Sequence, residues 1–142
     1  MNFNKLTEKA KLPTIHNDYS PALALYCQDN FTLPIGITTV VPLGINLDLN
    51  EENLERLGKT GAFMVELPFW LRSHGLTSFG FTVFSLDYDK EWSIILSNQG
   101  KKDVSFNKHD IIAMCLWFEH GLNHPMFDQL RVETNGTDKK QL

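Results

Sequence analysis

Hydrophobic and polar residues alternate over short stretches, and residues typical of turns interrupt them about every ten positions. The clearest alternation places Ile45, Leu47 and Leu49 on one side and Asn46 and Asp48 on the other, as in a half-buried strand. Other strand-like stretches, rich in β-branched and aromatic residues, cover residues 38–41, 62–67, 79–85, 92–96 and 111–118. This rhythm predicts an all-β sandwich or barrel.

One segment departs from the strand pattern. Residues 50–57 begin with a capping asparagine and two glutamates, carry Leu54 and Leu57 three positions apart, and precede Gly58. A capping residue, acidic groups in the first turn and a terminating glycine are the usual signals of a helix. The segment therefore predicts a short helix inserted between two strands, with its two leucines packed against the barrel rather than forming a partner site.

The length of the chain bounds its organisation. The 142 residues, of which 42% are hydrophobic and 21% charged, are enough for one domain with its own core. Both ends of the chain are polar. The sequence therefore predicts a flexible N-terminal segment over residues 1–11, a β-barrel domain over residues 12–130 and a flexible tail over residues 131–142.

Charge and composition exclude several functions. Lys and Arg number 13 against 17 Asp and Glu, so the formal charge of −4 argues against a nucleic-acid binder that neutralises phosphates. The longest apolar run, residues 111–118, is far shorter than the roughly 20 residues that span a bilayer. His120 and His124 flank a glycine and precede a proline, which favours a loop over a metal site. Cys27 and Cys115 lie in apolar surroundings and are interpreted as buried, reduced thiols.

Short motifs occur in the order and spacing of a known family. In the first half they are L-P-T at 12–14, Cys27 with Asp29, L-P-I-G at 33–36 and V-P-L-G-I at 41–45. In the second half they are D-Y-D-K-E-W at 87–92, N-Q-G at 98–100 and H-D-I-I-A-M at 109–114. This order resembles that of the trimeric dUTPases, which carry I-P-P-G, V-P-T-G-I, D-Y-R-G-E-I and G-D-R-I-A-Q. The resemblance implies a dUTPase-like jelly-roll barrel with a short inserted helix.

The positions that carry catalysis in dUTPases hold other residue types here. Leu23 takes the place of the Asp that helps to hold magnesium, and Ser85 takes the place of the Asp that activates water. Met114 replaces the Gln of the fourth motif. Where dUTPases carry the phosphate-gripping P-R-S-G, Phe69 and Trp70 follow a proline. The Gly-rich C-terminal arm that closes over the base has no clear counterpart.

These departures remove the chemistry that hydrolysis of a triphosphate needs. A general base is typically worth about 10²–10⁴ in rate, and a cation balances the developing charge. A retained scaffold without catalytic motifs resembles the dUTPase-derived early-region proteins of adenoviruses, which act on host signalling through protein contacts. The resemblance implies a homotrimeric viral protein in the host cytoplasm or nucleus. It implies no catalytic residue, cofactor or metal site, and it makes host proteins the partners.

Phe69 and Trp70 form the candidate interaction surface. An apolar cluster after a proline is more often core than interface, so two interpretations of Trp70 stay open. If Trp70 is exposed, it is the strongest hot-spot candidate of the chain. If it is core, truncation to alanine should unfold the protein.

The alternative function is an active, magnesium-dependent dUTP pyrophosphatase with rearranged site residues. Asp87 or Asp89 would replace the lost base, and Asp18 or Asp29 would help to hold magnesium. The nucleotide-binding residues would be a phosphate grip and a partner for the deoxyribose: Arg72, Ser73 and Tyr88. The competing interpretation of Asp87 and Tyr88 is a turn aspartate and an edge aromatic at a hairpin end.

Overall fold

A computed structural model describes residues 3–16, 22–48, 61–78, 82–85 and 90–119. Within these residues the chain consists of short strands and one helical turn. The strands are β1 (Phe3–Lys5), β2 (Thr14–Ile15), β3 (Leu23–Tyr26), β4 (Phe31–Leu33), β5 (Thr38–Pro42), β6 (Ile45–Leu47), β7 (Gly61–Glu66), β8 (Leu76–Ser78), β9 (Thr82–Ser85), β10 (Ser93–Asn98), β11 (Val104–Phe106) and β12 (Ile111–Glu119). The helix, α1 (Phe69–Arg72), lies between β7 and β8. The predicted all-β class is confirmed.

All strand pairs in the described residues are antiparallel, and most join segments that are distant in the sequence. A five-stranded sheet has the order β2-β3-β12-β7-β9, and a three-stranded sheet has the order β5-β10-β8. Two further pairs, β1-β6 and β4-β11, complete the described sheets. The described strands form separate sheets rather than one closed barrel. The sequence therefore predicted the strands and the dUTPase-like fold, but not that the described sheets stay open.

The core lies between the inner faces of these sheets. Its largest fully buried side chains include Phe63 of β7 and Trp92, which immediately precedes β10. Their ring centroids are 5.2 Å apart in an edge-on arrangement, and Phe3 of β1 lies 5.1 Å from Trp92. The Trp117 ring of β12 also packs against Phe63, with 4.7 Å between the ring centroids. Tilted aromatic contacts of this kind add specificity to the area that is buried.

The segment before residue 12, which the sequence predicts as flexible, contributes directly to the folded domain. Strand β1 pairs with β6, and the Leu6 amide donates a hydrogen bond of 2.7 Å to the Gly44 carbonyl. Ala10 is buried in the core, and Lys9 forms an exposed ion pair of 3.1 Å with Asp29. The predicted tail at 131–142 lies outside the described residues.

The single described helix is not the one that the sequence predicts. The predicted helix at 50–57 lies outside the described residues, whereas α1 follows Pro68. No side chain caps α1, and the amides of Leu71 and Arg72 both donate to the Pro68 carbonyl, at 3.1 and 3.2 Å. Pro68 is extended, with φ −59° and ψ 152°, so the chain enters the turn from a strand-like geometry. Leu71 is buried and anchors the turn to the core.

Two glycines bring the turn after α1 against the turn after β10. Gly75 has φ +86°, a left-handed conformation that a glycine adopts at little cost. Its carbonyl accepts a hydrogen bond of 2.9 Å from the Gln99 amide. A Cβ on Gly75 would lie 2.6 Å from the Gly100 nitrogen and closer still to its Cα. The two backbones therefore touch at a point where neither position has room for a side chain.

The buried side chain of Asn98 stabilises the turn after β10. Its buried side-chain amide donates to the carbonyls of Leu33 and Lys102, both at 2.9 Å, and its oxygen accepts from the Gly100 amide at 3.0 Å. Three good bonds satisfy a polar group that would otherwise be costly to bury. The N-Q-G motif is thus explained by an amide that ties the end of β4 to the turn after β10 and by a glycine that lets the turn after α1 approach.

Candidate functional site

Leu23, at the position that holds a magnesium-binding Asp in dUTPases, lies in β3 opposite Cys115 of β12. Cys115 in turn lies opposite Val65 of β7, and both are buried. Because cross-strand partners project to the same side of a sheet, Leu23 lies on the core face, where it packs against the hydrophobic core. An apolar side chain in this place does not fit a magnesium ion, which takes oxygen ligands.

Met114 and Ser85 occupy other rows of the same sheet. Met114 is half-buried and lies opposite Ala24 on one side and Glu66 on the other. Met114 is the neighbour of Cys115 along the strand, so it lies on the face opposite to Leu23. Ser85 ends β9 opposite Ala62. The structure therefore does not bring Leu23 and Met114 together on one surface.

Arg72 and Ser73 lie at the C-terminal end of α1. The Ser73 hydroxyl donates a hydrogen bond of 2.8 Å to the Trp70 carbonyl, and its amide donates 2.9 Å to the Phe69 carbonyl. Both donors of Ser73 are therefore engaged within the turn. The end of a helix also presents carbonyl oxygens, which disfavour an anion. These contacts argue against the predicted binding of phosphate by Arg72 and Ser73, but they do not test it directly.

The exposed Arg72 lines a cleft of about 340 Å³ between α1, the end of β7 and β8. Glu66 lines the same cleft, together with Thr77 and Ser78. A carboxylate in the same cleft as the guanidinium lowers the attraction of the cleft for a phosphate group. The cleft is thus of mixed charge rather than a site dedicated to anions.

Phe69 and Trp70 project outward from α1. Phe69 is 76% exposed and Trp70 is 42% exposed, whereas the next residue, Leu71, is buried. The interpretation of Trp70 as a core residue is therefore wrong. The ring of His16 lies 5.9 Å from that of Trp70 with an interplanar angle of 33°, which supports the indole on one side. A large exposed aromatic residue on a short turn is a typical component of an interaction surface.

Trp70 forms one wall of a cleft of about 590 Å³, called the Trp70 cleft below. Leu71 and His74 extend the same wall. The remaining lining comes from β3, from β11 and from the turn that leads into β12: Tyr26, Val104, Ser105, Phe106, His109, Asp110 and Ile111. The pairing of β11 with β4 and of β12 with β3 brings this turn beside α1. The sequence pointed to Trp70 but not to this cleft.

His109 and Asp110 shape the far wall of the Trp70 cleft. His109 has φ +68° at the position where dUTPases carry the Gly of G-D-R-I-A-Q, so the backbone keeps a conformation that glycine favours. Its amide donates 3.0 Å to the Cys27 carbonyl, and its Nε2 lies 2.8 Å from the Lys9 carbonyl oxygen. A carboxylate oxygen of Asp110 accepts a bond of 2.8 Å from the Asn107 amide. The match of His109 to the Gly of that motif was the sequence signal that could have identified this turn.

Both cysteines are free, buried thiols. Burial raises the pKa of Cys27, with a smaller contribution from the charge of Asp110, and its Sγ lies 3.0 Å from the Asn107 carbonyl. Burial alone raises the pKa of Cys115 to about 12. Because a nucleophilic cysteine must be a thiolate, neither side chain suits covalent catalysis at neutral pH.

The carboxylates that an active enzyme would use are only partly described. Asp18, Asp87 and Asp89, with Tyr88, lie outside the described residues. Asp29 is exposed and paired with Lys9. In the described ranges, no three His, Cys, Asp or Glu side chains are grouped as they would be around a metal ion. No helix there has the length and apolar character needed to cross a membrane.

The fold is similar to that of dUTPases of known structure, although no protein-family model and no curated protein sequence matches the chain. A mutant dUTPase of the Staphylococcus aureus phage phi11, described with a structural Mg(II) ion, superposes with a TM-score of 0.69 at 10% identity, covering 82% of this chain and 88% of that one. The G164S mutant of the Staphylococcus bacteriophage 80alpha dUTPase, with dUpNHpp, gives a TM-score of 0.70 at 10% identity, covering 82% of this chain and 80% of that one. The EIAV dUTPase gives 0.67 at 15% identity, covering 86% and 90%.

These similarities extend over most of each chain, while the identities are far too low to carry over any activity. They agree with the motif order in the sequence and with the antiparallel sheets described above. The chain therefore has an all-β, dUTPase-like fold.

Proposed function

We propose that this protein is a dUTPase-like viral protein that has lost nucleotide hydrolysis and acts as a protein-interaction module on host signalling or regulatory proteins. The observation that carries the proposal is the pair of exposed aromatic residues, Phe69 and Trp70, on α1. They stand where the motif order of dUTPases has its phosphate-gripping loop. An anion placed there would lose water without gaining donors, whereas an apolar partner surface would gain buried area.

The strand register supports the loss of hydrolysis. Leu23 is committed to the core face of the sheet, and Met114 lies on the opposite face. Restoring a magnesium-binding carboxylate at position 23 would place a charge in a half-buried, apolar position opposite Cys115, which is unfavourable. The apolar residue is thus part of the packing, and the protein is proposed to need no cofactor.

The decisive experiment is a dUTP hydrolysis assay on the purified full chain with magnesium, run beside a nucleotide-binding measurement by calorimetry. We expect no release of diphosphate above the buffer rate, with the EIAV dUTPase as the positive control. Turnover at an ordinary enzyme rate, on the order of 1–10 per second, would refute the proposal. Binding of dUTP without turnover would support a degenerate site that keeps part of its pocket.

The competing function is an active, magnesium-dependent dUTP pyrophosphatase that forms dUMP and diphosphate. It is favoured by the similarity to the 80alpha dUTPase with dUpNHpp over 82% of the chain. It requires Asp87 or Asp89 as the base. If it holds, Asp87→Asn should abolish turnover and leave assembly intact. Equal inactivity of the wild type and of this variant would eliminate it.

The proposed assembly is a homotrimer in the host cytoplasm or nucleus. The trimer follows from the resemblance to trimeric dUTPases, and the two buried, reduced thiols fit a reducing compartment. Light scattering coupled to size-exclusion chromatography tests the first part, because a trimer of the 16.3 kDa chain is readily separated from a monomer. A monomer at all concentrations would contradict it.

A further inference from the structure

The Trp70 cleft combines aromatic walls with a single formal charge. Of its lining residues, only Asp110 is charged when the histidines are neutral. Trp70 and Tyr26 both line the cleft, and Trp70 is 42% exposed to solvent. Aromatic faces attract cations through the ring quadrupole, and a carboxylate close by adds a counter-charge. The cleft therefore has the composition of a site for a positively charged group.

The fold already uses this chemistry at the edge of the cleft. The Lys11 ammonium lies 4.1 Å from the centroid of the Tyr26 ring, and among the described residues this is the one cation–π contact. The Tyr26 hydroxyl is held by the Thr14 hydroxyl, which keeps the ring in place. Trp70 is the better acceptor of the two ring types for a cation, and no described cation covers it.

Asp110 is positioned rather than free to turn away. Asp110 is half-buried, and one of its oxygens accepts the Asn107 amide at 2.8 Å. The turn that carries it is held on both sides, because the His109 amide donates to Cys27 and the Cys27 amide donates to the Asp110 carbonyl. A carboxylate held by backbone contacts loses little side-chain entropy when it pairs with a cation.

We propose that the Trp70 cleft binds an arginine side chain from an extended segment of a partner protein, with the indole as its platform and Asp110 as its counter-ion. Arginine is favoured over lysine because its planar guanidinium stacks on an aromatic face and pairs with a carboxylate at the same time. The formal charge of −4 on the chain favours the approach of a basic partner. This inference rests on the proposed function, since it names the chemistry of the partner at the same surface.

The test is an NMR titration of the full chain with the peptide acetyl-Gly-Gly-Arg-Gly-Gly-amide. The matched probe replaces Arg with citrulline, which has the same shape without the charge. We expect the Trp70 indole N–H signal, assigned with Trp70→Phe, to shift and saturate at millimolar peptide. The citrulline peptide should bind at least roughly threefold more weakly, as loss of an exposed cation–π and ionic contact implies.

Variants distinguish binding in the Trp70 cleft from a general electrostatic attraction to the protein. Asp110→Asn keeps an oxygen that can accept from the Asn107 backbone amide. It should weaken binding of the arginine peptide roughly three- to tenfold. Glu8→Gln removes the same charge from an exposed residue outside the cleft and should leave binding unchanged. Trp70→Ala should abolish binding, whereas Ile37→Ala, which truncates an exposed apolar residue outside the cleft, should not.

Equal binding of the arginine and citrulline peptides would overturn the inference, as would equal effects of Asp110→Asn and Glu8→Gln. Either result leaves the proposed loss of hydrolysis untouched, because that is measured by diphosphate release. Conversely, turnover of dUTP would refute the proposed function without altering the peptide titration, so the two failures are distinguishable.

Discussion

Replacement of Gly75 by alanine should destabilise the protein far more than the same change at Gly36. Both glycines have left-handed backbones, with φ +86° and +78°. At each, an L side chain costs roughly 1–2 kcal/mol, partly offset by about 0.4–1 kcal/mol from the stiffer unfolded chain. Among the described residues, a Cβ on Gly36 would meet nothing within 4 Å beyond its chain neighbours, so this strain is its whole cost. The expected loss for Gly36→Ala is therefore about 1 kcal/mol.

Gly75 carries an additional steric cost. Its Cβ would lie 2.6 Å from the Gly100 nitrogen, and backbone cannot move aside as the end of a side chain can. Forcing the turns apart adds about 1–3 kcal/mol of overpacking and about 1 kcal/mol from the Gln99–Gly75 hydrogen bond. The total of about 3–5 kcal/mol predicts a melting temperature lower by roughly 10–15 °C, against about 3 °C for Gly36→Ala.

Thermal and urea unfolding of the two variants measure this difference directly. Gly100→Ala supplies an independent arm, because its Cβ would overlap the His74 carbonyl oxygen although no left-handed strain arises there. We expect Gly100→Ala to resemble Gly75→Ala. Equal melting temperatures for Gly36→Ala and Gly75→Ala would refute the contact between the two turns.

Single side chains carry three further predictions. Asn98→Ala should cost about 2–4 kcal/mol in urea unfolding, because the buried carbonyls that it serves lose their donor; a cost below about 1 kcal/mol would contradict its role. The free energy of unfolding should fall by up to about 1.4 kcal/mol per pH unit between pH 9 and 12, because burial raises the pKa of Cys115 from 9.0 in the unfolded chain to about 12 in the folded protein. Cys115→Val should remove this pH dependence, and the same pH profile in this variant as in the wild type would refute the prediction. Trp70→Ala should cost less than about 1 kcal/mol, whereas Leu71→Ala, beside it on α1, should cost about 2–5 kcal/mol by thermal melt; a reversed order would mean that α1 is oriented differently.

The strand content was predictable because it depends on local chemistry. Alternating residues such as Ile45 and Leu47 and the frequent turn residues favour short strands in any context. The order of motifs also identified the dUTPase-like fold. Gly36 and Gly44, for example, keep left-handed backbones in the turns where the family motifs place glycine. Motif order survives divergence because each motif serves a turn whose backbone has few alternatives.

Helix α1 was not predictable from local signals. It is a single turn without a capping side chain, and it forms because Pro68 supplies a carbonyl and Leu71 finds a place in the core. The exposure of Trp70 follows from the same anchoring. Sequence alone could not decide between core and surface for Trp70, because an apolar residue beside a proline suits both environments.

The sequence by itself determined which segments form strands, and it predicted that the residue types that dUTPases use for catalysis are missing. Only the tertiary structure decided which face each residue occupies, since alternation along β3 allows either face until Leu23 is placed opposite Cys115. Likewise, only the pairing of β3 with β12 and of β4 with β11 brings Asp110 and Trp70 to the same cleft. Contacts between segments distant in the sequence depend on the packing of the whole domain, and no local pattern records them.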